Sequence, residues 1–544
     1  MGTPLGLVVD GSLGQGVEVR LDPATSVEEV KVGTFVTLQG EKLRFFGVVT
    51  DVKLGAASPG LKYNLPDVSN PFIAEVVGGT AVFGTIAVLP SLTMPAVLGD
   101  SDSPSPAKTI PPHFARAFLA SERDVQAVFG SADDQHFWIG NPLDMETKVC
   151  LDLKSLTERS MGIFGKSGTG KTFLTRLLLV GILQSDLAST LIFDMHSEYG
   201  WQGRDSERNR QVKGLKQLFG SKVAVFSLDE KSSRQRKLSP DEVVRISYGD
   251  IEPEDIEALR ENLGLSDVAS QAAYNLKQRL GSGKWLEEFL ALGGRDDLSE
   301  LSSSINVQPQ ALAALHNRLS RFKRYEFMVS KAERDSVQRI LEHLDRGMHV
   351  VLEFGRYGND PHAYILVANL LTRRIHERYV QRHEEAEGTG GPGPRPLVIA
   401  IEEAHKFLSP GLASQTIFGI IARELRKYSV TLMVIDQRPG GIDQEVMSQV
   451  GTKLVCLLDN ERDIDAVLGG APGSRELRTV LARLESKQQA LIYGHAVPMP
   501  VVVHTREFGS ADSYAELSRT PSRLRAADGS SDRSSGDELK DLFG

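Results

Sequence analysis

The sequence predicts an α/β core that follows a small β-barrel and is interrupted by a bundle of helices. Short β-branched or aromatic runs, separated by turn residues, fill the first hundred residues. An apolar strand, a glycine-rich turn and a Leu-rich helical stretch then follow one another between residues 161 and 183. Apolar strands return at 349–354 and 397–401, after a long stretch with helical periodicity.

The strands expected in the first hundred residues are short and have no helices between them, which is typical of a small barrel or sandwich. They are Leu5–Asp10, Val17–Leu21, Thr34–Leu38, Arg44–Val52, Phe72–Val77 and Ala81–Leu89. A Ser- and Pro-rich linker at 100–111 and a short helical segment at 114–129 connect this region to the core.

On this pattern the chain divides into six segments. They are the barrel at 1–100, a linker and short helix at 101–135, the first part of the core at 136–238, the helical insertion at 239–345, the second part of the core at 346–509 and a tail at 510–544. The tail is polar, Ser-rich and acidic, which predicts disorder. Its last eight residues contain Leu and Phe between acidic residues. This segment is either a docking peptide or the end of a solubilising tail.

The composition restricts the compartments in which we expect the protein and the ways in which it could contact nucleic acid. No secretory signal is visible, and no uncharged apolar stretch is long enough to span a bilayer. The two cysteines lie far apart, which argues against a disulfide framework and fits a reducing cytoplasm. The net charge of -9 counts against coating nucleic acid with the outer surface, so any DNA contact would be local, in a channel or on a loop.

The segment from Gly165 to Thr172 matches the phosphate-binding pattern G-x-x-x-x-G-K-T between a strand and a helix. This context directs backbone N–H groups and the positive end of the helix dipole at an anion. We expect Lys171 to reach the β- and γ-phosphates and the Thr172 hydroxyl to bind Mg²⁺. The residues expected to bind ATP or GTP are Gly165, Ser167, Gly168, Thr169, Gly170, Lys171, Thr172 and Phe173.

Two adjacent carboxylates, Glu402 and Glu403, end the apolar strand at 397–401. Ligands of open parallel sheets bind at the carboxyl ends of strands, and side chains alternate along a strand, so the two carboxylates should have different roles. We expect Glu402 to bind Mg²⁺ through water and Glu403 to act as the general base that polarises the attacking water. The alternative is an acidic strand end in contact with solvent, which the phosphate loop in the same chain disfavours.

Further candidate groups follow in the sequence. Gln437 lies just after the strand at 429–435, where it is either a sensor of the γ-phosphate or a capping amide. Arg423 and Arg426 belong to a basic helix end, which either supplies an arginine finger to a neighbouring subunit or is solvated.

Two other groups of polar residues receive less specific interpretations. The segment Arg318–Tyr325 interleaves basic and aromatic residues, which suits nucleic acid, but its apolar spacing favours an ordinary amphipathic helix. His196 and His405 are expected to be polar groups near the site rather than zinc ligands, because no third ligand accompanies them at metal spacing.

These motifs together resemble those of the HerA family of hexameric DNA-translocating ATPases, relatives of FtsK in the RecA-like class. The resemblance covers most of the chain. Its five features are VGTFV at 32–36 with FGVV at 46–49, the phosphate loop, DMHSEY at 194–199, EEAHKF at 402–407, and RELRKY at 423–428 followed by DQRPG at 436–440. Many NTPases share the phosphate loop, whereas the other motifs in this order are far more specific.

The resemblance implies a RecA-like P-loop ATPase core that binds ATP and Mg²⁺, in a homo-hexamer with double-stranded DNA in its central channel. The residues that match functional positions of the family are Lys171, Thr172, Asp194, Glu402, Glu403 and Gln437, with Arg423 or Arg426 as the finger that acts in trans. Two positions depart from the family pattern: Glu402 stands where Asp is commoner, and Leu425 where a small residue is usual.

Relatives of this kind act with a partner, so the resemblance also implies an effector from a separate chain. This effector would be a NurA-like nuclease or a defence effector (sirtuin-like or a nuclease) that docks on the N-terminal barrel. The role would then be DNA end processing in repair, or antiviral defence. Two alternatives stay open: a secretion- or conjugation-type ATPase, and an ATPase scaffold that organises effector subunits.

Overall fold

The computed structural model describes residues 2–63, 66–96, 103–205, 210–413 and 416–518. The strands of its N-terminal part are β1 Pro4–Ser12, β2 Gly16–Leu21, β3 Phe35–Gln39, β4 Leu43–Ala56, β5 Val82–Pro95, β6 Ser105–Pro106 and β7 Arg116–Leu119. Six of them close an antiparallel barrel in the order β2–β1–β7–β3–β4–β5, because β5 pairs back to β2. Buried side chains such as Val19, Val36 and Ile86 fill its interior. The predicted small β-barrel is therefore confirmed.

Two elements predicted for this region are wrong. The run predicted as a strand at 72–77 is helix α1, Pro71–Thr80. Asn70 caps this helix by accepting a hydrogen bond from the Phe72 N–H (3.1 Å), and a proline occupies its first turn, where proline is favoured. The predicted helical segment at 114–129 is strand β7 followed by helix α2, Glu122–Phe129. Since β7 pairs with both β1 and β3, one strand of the barrel lies in the segment that the sequence assigned to a linker and a short helix.

The remaining strands belong mainly to one large sheet. They are β8 His136–Pro142, β9 Val149–Asp152, β10 Met161–Phe164, β11 Ser189–Asp194, β12 Gln202–Asp205, β13 Arg210–Lys213, β14 Val223–Ser227, β15 Glu242–Val243, β16 Ile246–Ser247, β17 Met328–Val329, β18 His349–Glu353, β19 Leu397–Glu402, β20 Val430–Asp436, β21 Thr452–Val455, β22 Gln489–Gly494 and β23 Val501–Thr505. The sheet has the order β15–β14–β18–β11–β19–β20–β10–β21–β22–β23–β8–β9, and β12–β13 and β16–β17 form separate pairs. The strands run parallel as far as β21 and antiparallel from there to β9.

Helices accompany the sheet along the whole core. They are α3 Leu153–Thr157, α4 Lys171–Ser185, α5 Leu215–Phe219, α6 Glu230–Gln235, α7 Pro253–Ala258, α8 Arg260–Leu263, α9 Asp267–Leu280, α10 Trp285–Ala291, α11 Arg295–Ser304, α12 Pro309–Leu319, α13 Ser336–Asp345, α14 Pro361–Thr389, α15 His405–Leu408, α16 Ile417–Glu424, α17 Gln444–Gln449, α18 Glu461–Leu468, α19 Ser474–Ala482 and α20 Ala511–Leu517. In the part of the chain that the structure describes, no helix combines the length and the apolar character required to cross a membrane.

The helices α7 to α12 form the predicted inserted bundle, between β16 and β17. Helix α13 falls within the predicted insertion but packs on the sheet, where the Ser189 hydroxyl of β11 donates to the Leu344 carbonyl (3.0 Å). The basic segment after α12 buries Phe322 completely, as an amphipathic helix end would. The parallel sheet, the phosphate loop after β10, the bundle and the barrel together confirm the predicted α/β RecA-like core with its two additions.

The segment that begins at 510 departs from the disorder expected for it. Residues 511–517 form helix α20, which Ser510 caps and which buries Leu517. The Gln184 amide at the end of α4 donates to the Leu517 carbonyl (2.6 Å), so α20 is attached to the core. The expected docking peptide at 537–544 lies outside the described residues.

Candidate nucleotide site

The phosphate loop has the backbone conformation that its glycines predict. Gly165 and Gly170 have φ of 153° and 95°, values that side chains with a Cβ rarely adopt. A Cβ at Gly165 would also lie 2.7 Å from the Cβ of Cys456, so this position has no room for a side chain. Helix α4 begins at Lys171, and its unsatisfied N–H groups therefore point into the loop.

One cavity of about 570 Å³ brings most of the predicted site residues together. Those that line it are Ser167, Gly168, Thr169, Gly170, Lys171, Thr172, Phe173, Glu402, Glu403 and Gln437. The Lys171 ammonium donates to the Lys166 carbonyl of the loop (2.9 Å), and burial lowers its pKa while nearby carboxylates oppose the shift. A cation in this position is available to pair with phosphate oxygens.

Glu402 is a buried carboxyl at the end of β19. Its Oε1 accepts a hydrogen bond from the Tyr199 hydroxyl (2.8 Å), whereas Oε2 is buried without a partner. Burial, reinforced by Asp194, raises its pKa to about 8. An unpartnered carboxyl oxygen in the same cavity as the Thr172 hydroxyl fits a divalent cation, which would favour the ionised form.

Glu403 is held in a strained conformation. Its φ of 49° lies in the left-handed region, which costs a residue with a Cβ about 1 kcal/mol or more. The Gln437 amide donates to Glu403 Oε1 (3.0 Å), and His405 Nε2 lies 3.8 Å from Oε2. The structure therefore places the predicted base and the predicted sensor in direct contact.

Asp436 connects the two strand ends that carry these groups. Its buried carboxylate accepts hydrogen bonds from the His405 N–H (2.7 Å), from the His405 ring at Nδ1 (2.9 Å) and from the Arg438 N–H (2.6 Å). The hydrogen bond that Asp436 accepts from the His405 ring raises the pKa of His405. No role was predicted for Asp436, although it is the first residue of the DQRPG motif and lies at the end of β20 beside Gln437.

Asp194 has a different position from the other predicted residues, because it is fully buried and does not line the cavity. Its carboxylate accepts hydrogen bonds from the N–H groups of Glu198, Tyr199 and Gly200 (2.8, 2.8 and 3.3 Å). It thus fixes the turn that presents the Tyr199 hydroxyl to Glu402. Asp194 acts on the site through this turn.

The backbone of Arg423 and Arg426 lies at the end of α16 and in the single 3₁₀ turn Leu425–Tyr428 that follows. Their side chains lie outside the described part of the structure. The assignment of an arginine finger to one of them stays a prediction.

The sequence motifs did not identify the residues that line the cavity on the side opposite Glu403 and Gln437. Two segments near the end of the described chain form it, Lys487–Gln489 and Thr505–Phe508, and we call them together the C-terminal wall. The Thr505 N–H donates to the Gln488 carbonyl (2.8 Å), which joins the two segments. Neither segment belongs to a motif. Only the antiparallel path of β22 and β23 brings them to the phosphate loop.

Comparison with known proteins agrees with the geometry of the site. A family model described as the central domain of helicase HerA matches residues 137–375. The DNA double-strand break repair helicase HerA of Saccharolobus solfataricus is 25% identical over 481 residues, 87% of each chain. The protein of the same name from Pyrococcus furiosus is 24% identical over 417 residues, 72% of each chain. Among solved structures, the bacterial conjugative coupling protein TrwBdeltaN70 aligns with a TM-score of 0.47 and 13% identity, over 72% of this chain and 93% of that chain.

The order of motifs, the sheet that brings them together and the similarity over most of the chain agree with one another. The chain is similar to the HerA family over most of its length, and it is a P-loop ATPase.

Proposed function

We propose that the protein couples ATP hydrolysis to movement along double-stranded DNA, as one subunit of a ring of six. The observation that carries this proposal is the single cavity that joins the phosphate loop to Glu402, Glu403 and Gln437. Similarity to DNA repair helicases over most of the chain supports DNA as the polymer.

The side chains that line the cavity have different roles in ATP hydrolysis. Lys171 and the N–H groups of the loop bind the phosphates, and Glu403 orients and deprotonates the attacking water. Thr172 and Glu402 would hold Mg²⁺, which neutralises charge on the β- and γ-phosphates when bound. Gln437, in contact with Glu403, is placed to report the γ-phosphate to the base.

A ring is supported by the arginines of the cavity. Among the described residues that line it, Arg176 donates to the Glu198 carbonyl (2.6 Å) and Arg506 pairs with Glu516 (2.7 Å). Both guanidinium groups are therefore engaged within their own chain. An arginine finger would come from a neighbouring subunit, which the boundary between two subunits of a ring provides.

The barrel carries a surface suited to an effector from another chain. The end of β4 and the segment between β4 and β5 expose large apolar side chains, including Leu54, Tyr63 and Phe72 at 80%, 85% and 73% exposure. Large apolar side chains exposed to this degree favour a protein contact. We propose that a nuclease or defence effector docks there, in DNA end processing or antiviral defence.

Steady-state ATP hydrolysis with and without linear duplex DNA tests the proposed motor. We expect duplex DNA to stimulate hydrolysis in the wild type and to have no effect in Lys171→Ala. Stimulation by unfolded polypeptide instead of DNA would favour the secretion-type alternative. A hydrolysis rate that no polymer changes, measured with the effector bound, would favour the scaffold and contradict the motor.

A further inference from the structure

We infer that the C-terminal wall is the nucleoside-binding half of the site, where the base and the ribose of the nucleotide are held. The inference rests on the proposed function and adds to it the residues that recognise the substrate beyond its phosphates. None of these residues belongs to the motifs that identify the family.

The order of the sheet gives the cavity two sides. Strand β10 leads into the phosphate loop, and β20 and β19 lie on one side of it with Glu403 and Gln437 at their ends. Strands β21, β22 and β23 lie on the other side. Because β22 and β23 are antiparallel to their neighbours, the start of β22 and the end of β23 reach the same edge of the sheet as the phosphate loop.

The order of the strands determines in which direction a bound nucleoside triphosphate extends from the phosphate loop. Its terminal phosphate must lie beside Glu403 and Gln437, where water attacks, and the phosphate chain must cross the loop at the start of α4. The ribose and the base therefore extend away from β19 and β20. The cavity continues in that direction to the C-terminal wall, so the two observations agree.

The chemistry of the C-terminal wall suits a nucleoside. Phe508 supplies an aromatic surface beside Phe173, with ring centroids 6.4 Å apart, and aromatic surfaces of this kind pack well against bases. The exposed Gln488 amide can both donate and accept hydrogen bonds at the edge of a base or at a ribose hydroxyl.

The guanidinium of Arg506 is preorganised in this wall. It stacks over the Trp138 ring (4.4 Å) and pairs with Glu516 of α20, and burial lowers its pKa. Phe508 packs on Tyr514 of the same helix, with ring centroids 5.6 Å apart. Helix α20 therefore supports the Thr505–Phe508 segment of the C-terminal wall.

The test compares ATP with inorganic tripolyphosphate, which carries the phosphates without the nucleoside. Both are titrated calorimetrically, with Mg²⁺, into a Glu403→Gln protein that cannot consume ATP. The variant added to this background is Gln488→Gly. Gln488 has a φ of 58°, which glycine adopts without strain, so the change removes the side chain and preserves the fold.

We expect Gln488→Gly to weaken ATP binding about threefold to tenfold, the effect of one lost hydrogen bond, and to leave tripolyphosphate binding within about twofold. Phe508→Leu should act in the same direction. Lys108→Ala, an exposed change distant in sequence, is the control and should alter neither ligand. Equal weakening of both ligands, or ATP binding unchanged in both wall variants, would overturn the inference.

Failure of the proposed function has a different signature in the same experiment. A protein that binds neither ATP nor tripolyphosphate would contradict the phosphate site itself. A protein that binds both ligands equally well would keep the phosphate site and exclude a nucleoside contact at the wall.

Discussion

The two sides of the nucleotide cavity differ in almost every physical respect. On the side of β19 and β20, Glu402 and Asp436 are buried, Glu403 has a strained backbone, and the His405 ring lies between Asp436 and Glu403. On the side of the C-terminal wall, aromatic and amide groups come from two loops, and the one buried cation has its own partner in Glu516. The difference supports our proposal that one side performs the chemistry and the other holds the nucleoside.

This division makes a kinetic prediction. Changes beside β19 and β20 should lower kcat and leave affinity intact, whereas changes in the C-terminal wall should alter affinity for the nucleoside alone. A substitution in the phosphate loop should lower both kcat and the affinity for ATP, because the loop lies between the two sides of the cavity. Four substitutions test this division, and we take them from the largest expected effect to the smallest.

The largest effect is expected for Glu403→Gln. Loss of the general base should reduce kcat by about 1,000-fold, while the isosteric amide keeps the space and the dissociation constant of ATP stays within about twofold. Single-turnover hydrolysis and calorimetric ATP binding measure the two quantities. Glu41→Gln, at an exposed position of the barrel, is the matched control. A large loss of ATP affinity in Glu403→Gln would contradict the division.

The second effect is expected for Lys171→Ala. Removal of the ammonium should lower kcat/KM by about 100-fold, because its pairing with the phosphates strengthens as charge develops. Binding of tripolyphosphate should weaken together with binding of ATP. Lys108→Ala serves again as the control. Weakening confined to ATP would mean that Lys171 contacts the nucleoside, contrary to its place in the loop.

The third effect is expected for His405, which we interpret as a positioning residue. His405→Ala should lower kcat by about tenfold without changing ATP affinity, because Glu403 loses a neighbour that helps hold its strained conformation. His405→Asn supplies an amide near the position of Nδ1, facing Asp436, but lacks a group near Glu403. It should therefore restore thermal stability but not kcat. Recovery of kcat in His405→Asn would show that only the contact with Asp436 matters.

The smallest effect is expected for Lys166→Ala. Lys166 reaches from the phosphate loop to Asp459 after β21 (3.0 Å), but both side chains are substantially exposed, at 42% and 68%. Exposed pairs contribute little, so ATP affinity and thermal stability should change by less than about twofold and by about 1 °C or less. Differential scanning fluorimetry and the ATP titration above measure both. A tenfold loss of affinity would place Lys166 among the phosphate ligands.

The same contrast explains which parts of the molecule the sequence could predict. Glu402, Glu403 and Gln437 lie directly at strand ends, so an apolar run followed by polar residues identified them. The C-terminal wall depends on where two antiparallel strands return, which periodicity along the chain does not encode. Tyr199 and Asp194 were found as a motif, but their action through a turn needed the coordinates.

Errors in the fold have a related cause. The run at 72–77 is rich in β-branched and aromatic residues, and the cap at Asn70 outweighed that composition. Strand β7 is only four residues long and acquires its conformation from pairing with β1 and β3. Local pattern alone therefore gave no signal for it.

The antiparallel pairing of β8 with β23 has a consequence for the order in which parts of the protein fold during synthesis. Strand β8 pairs with β9 soon after both are made, but its other partner, β23, lies roughly 360 residues further along the chain, whereas every strand of the barrel is complete by Leu119. At ribosomal rates of about 5–20 residues per second, that interval lasts about 20–70 seconds. We expect the barrel to fold early during synthesis. The nascent chain will later contain a complete phosphate loop well before it contains the C-terminal wall, the surface that we propose for the nucleoside.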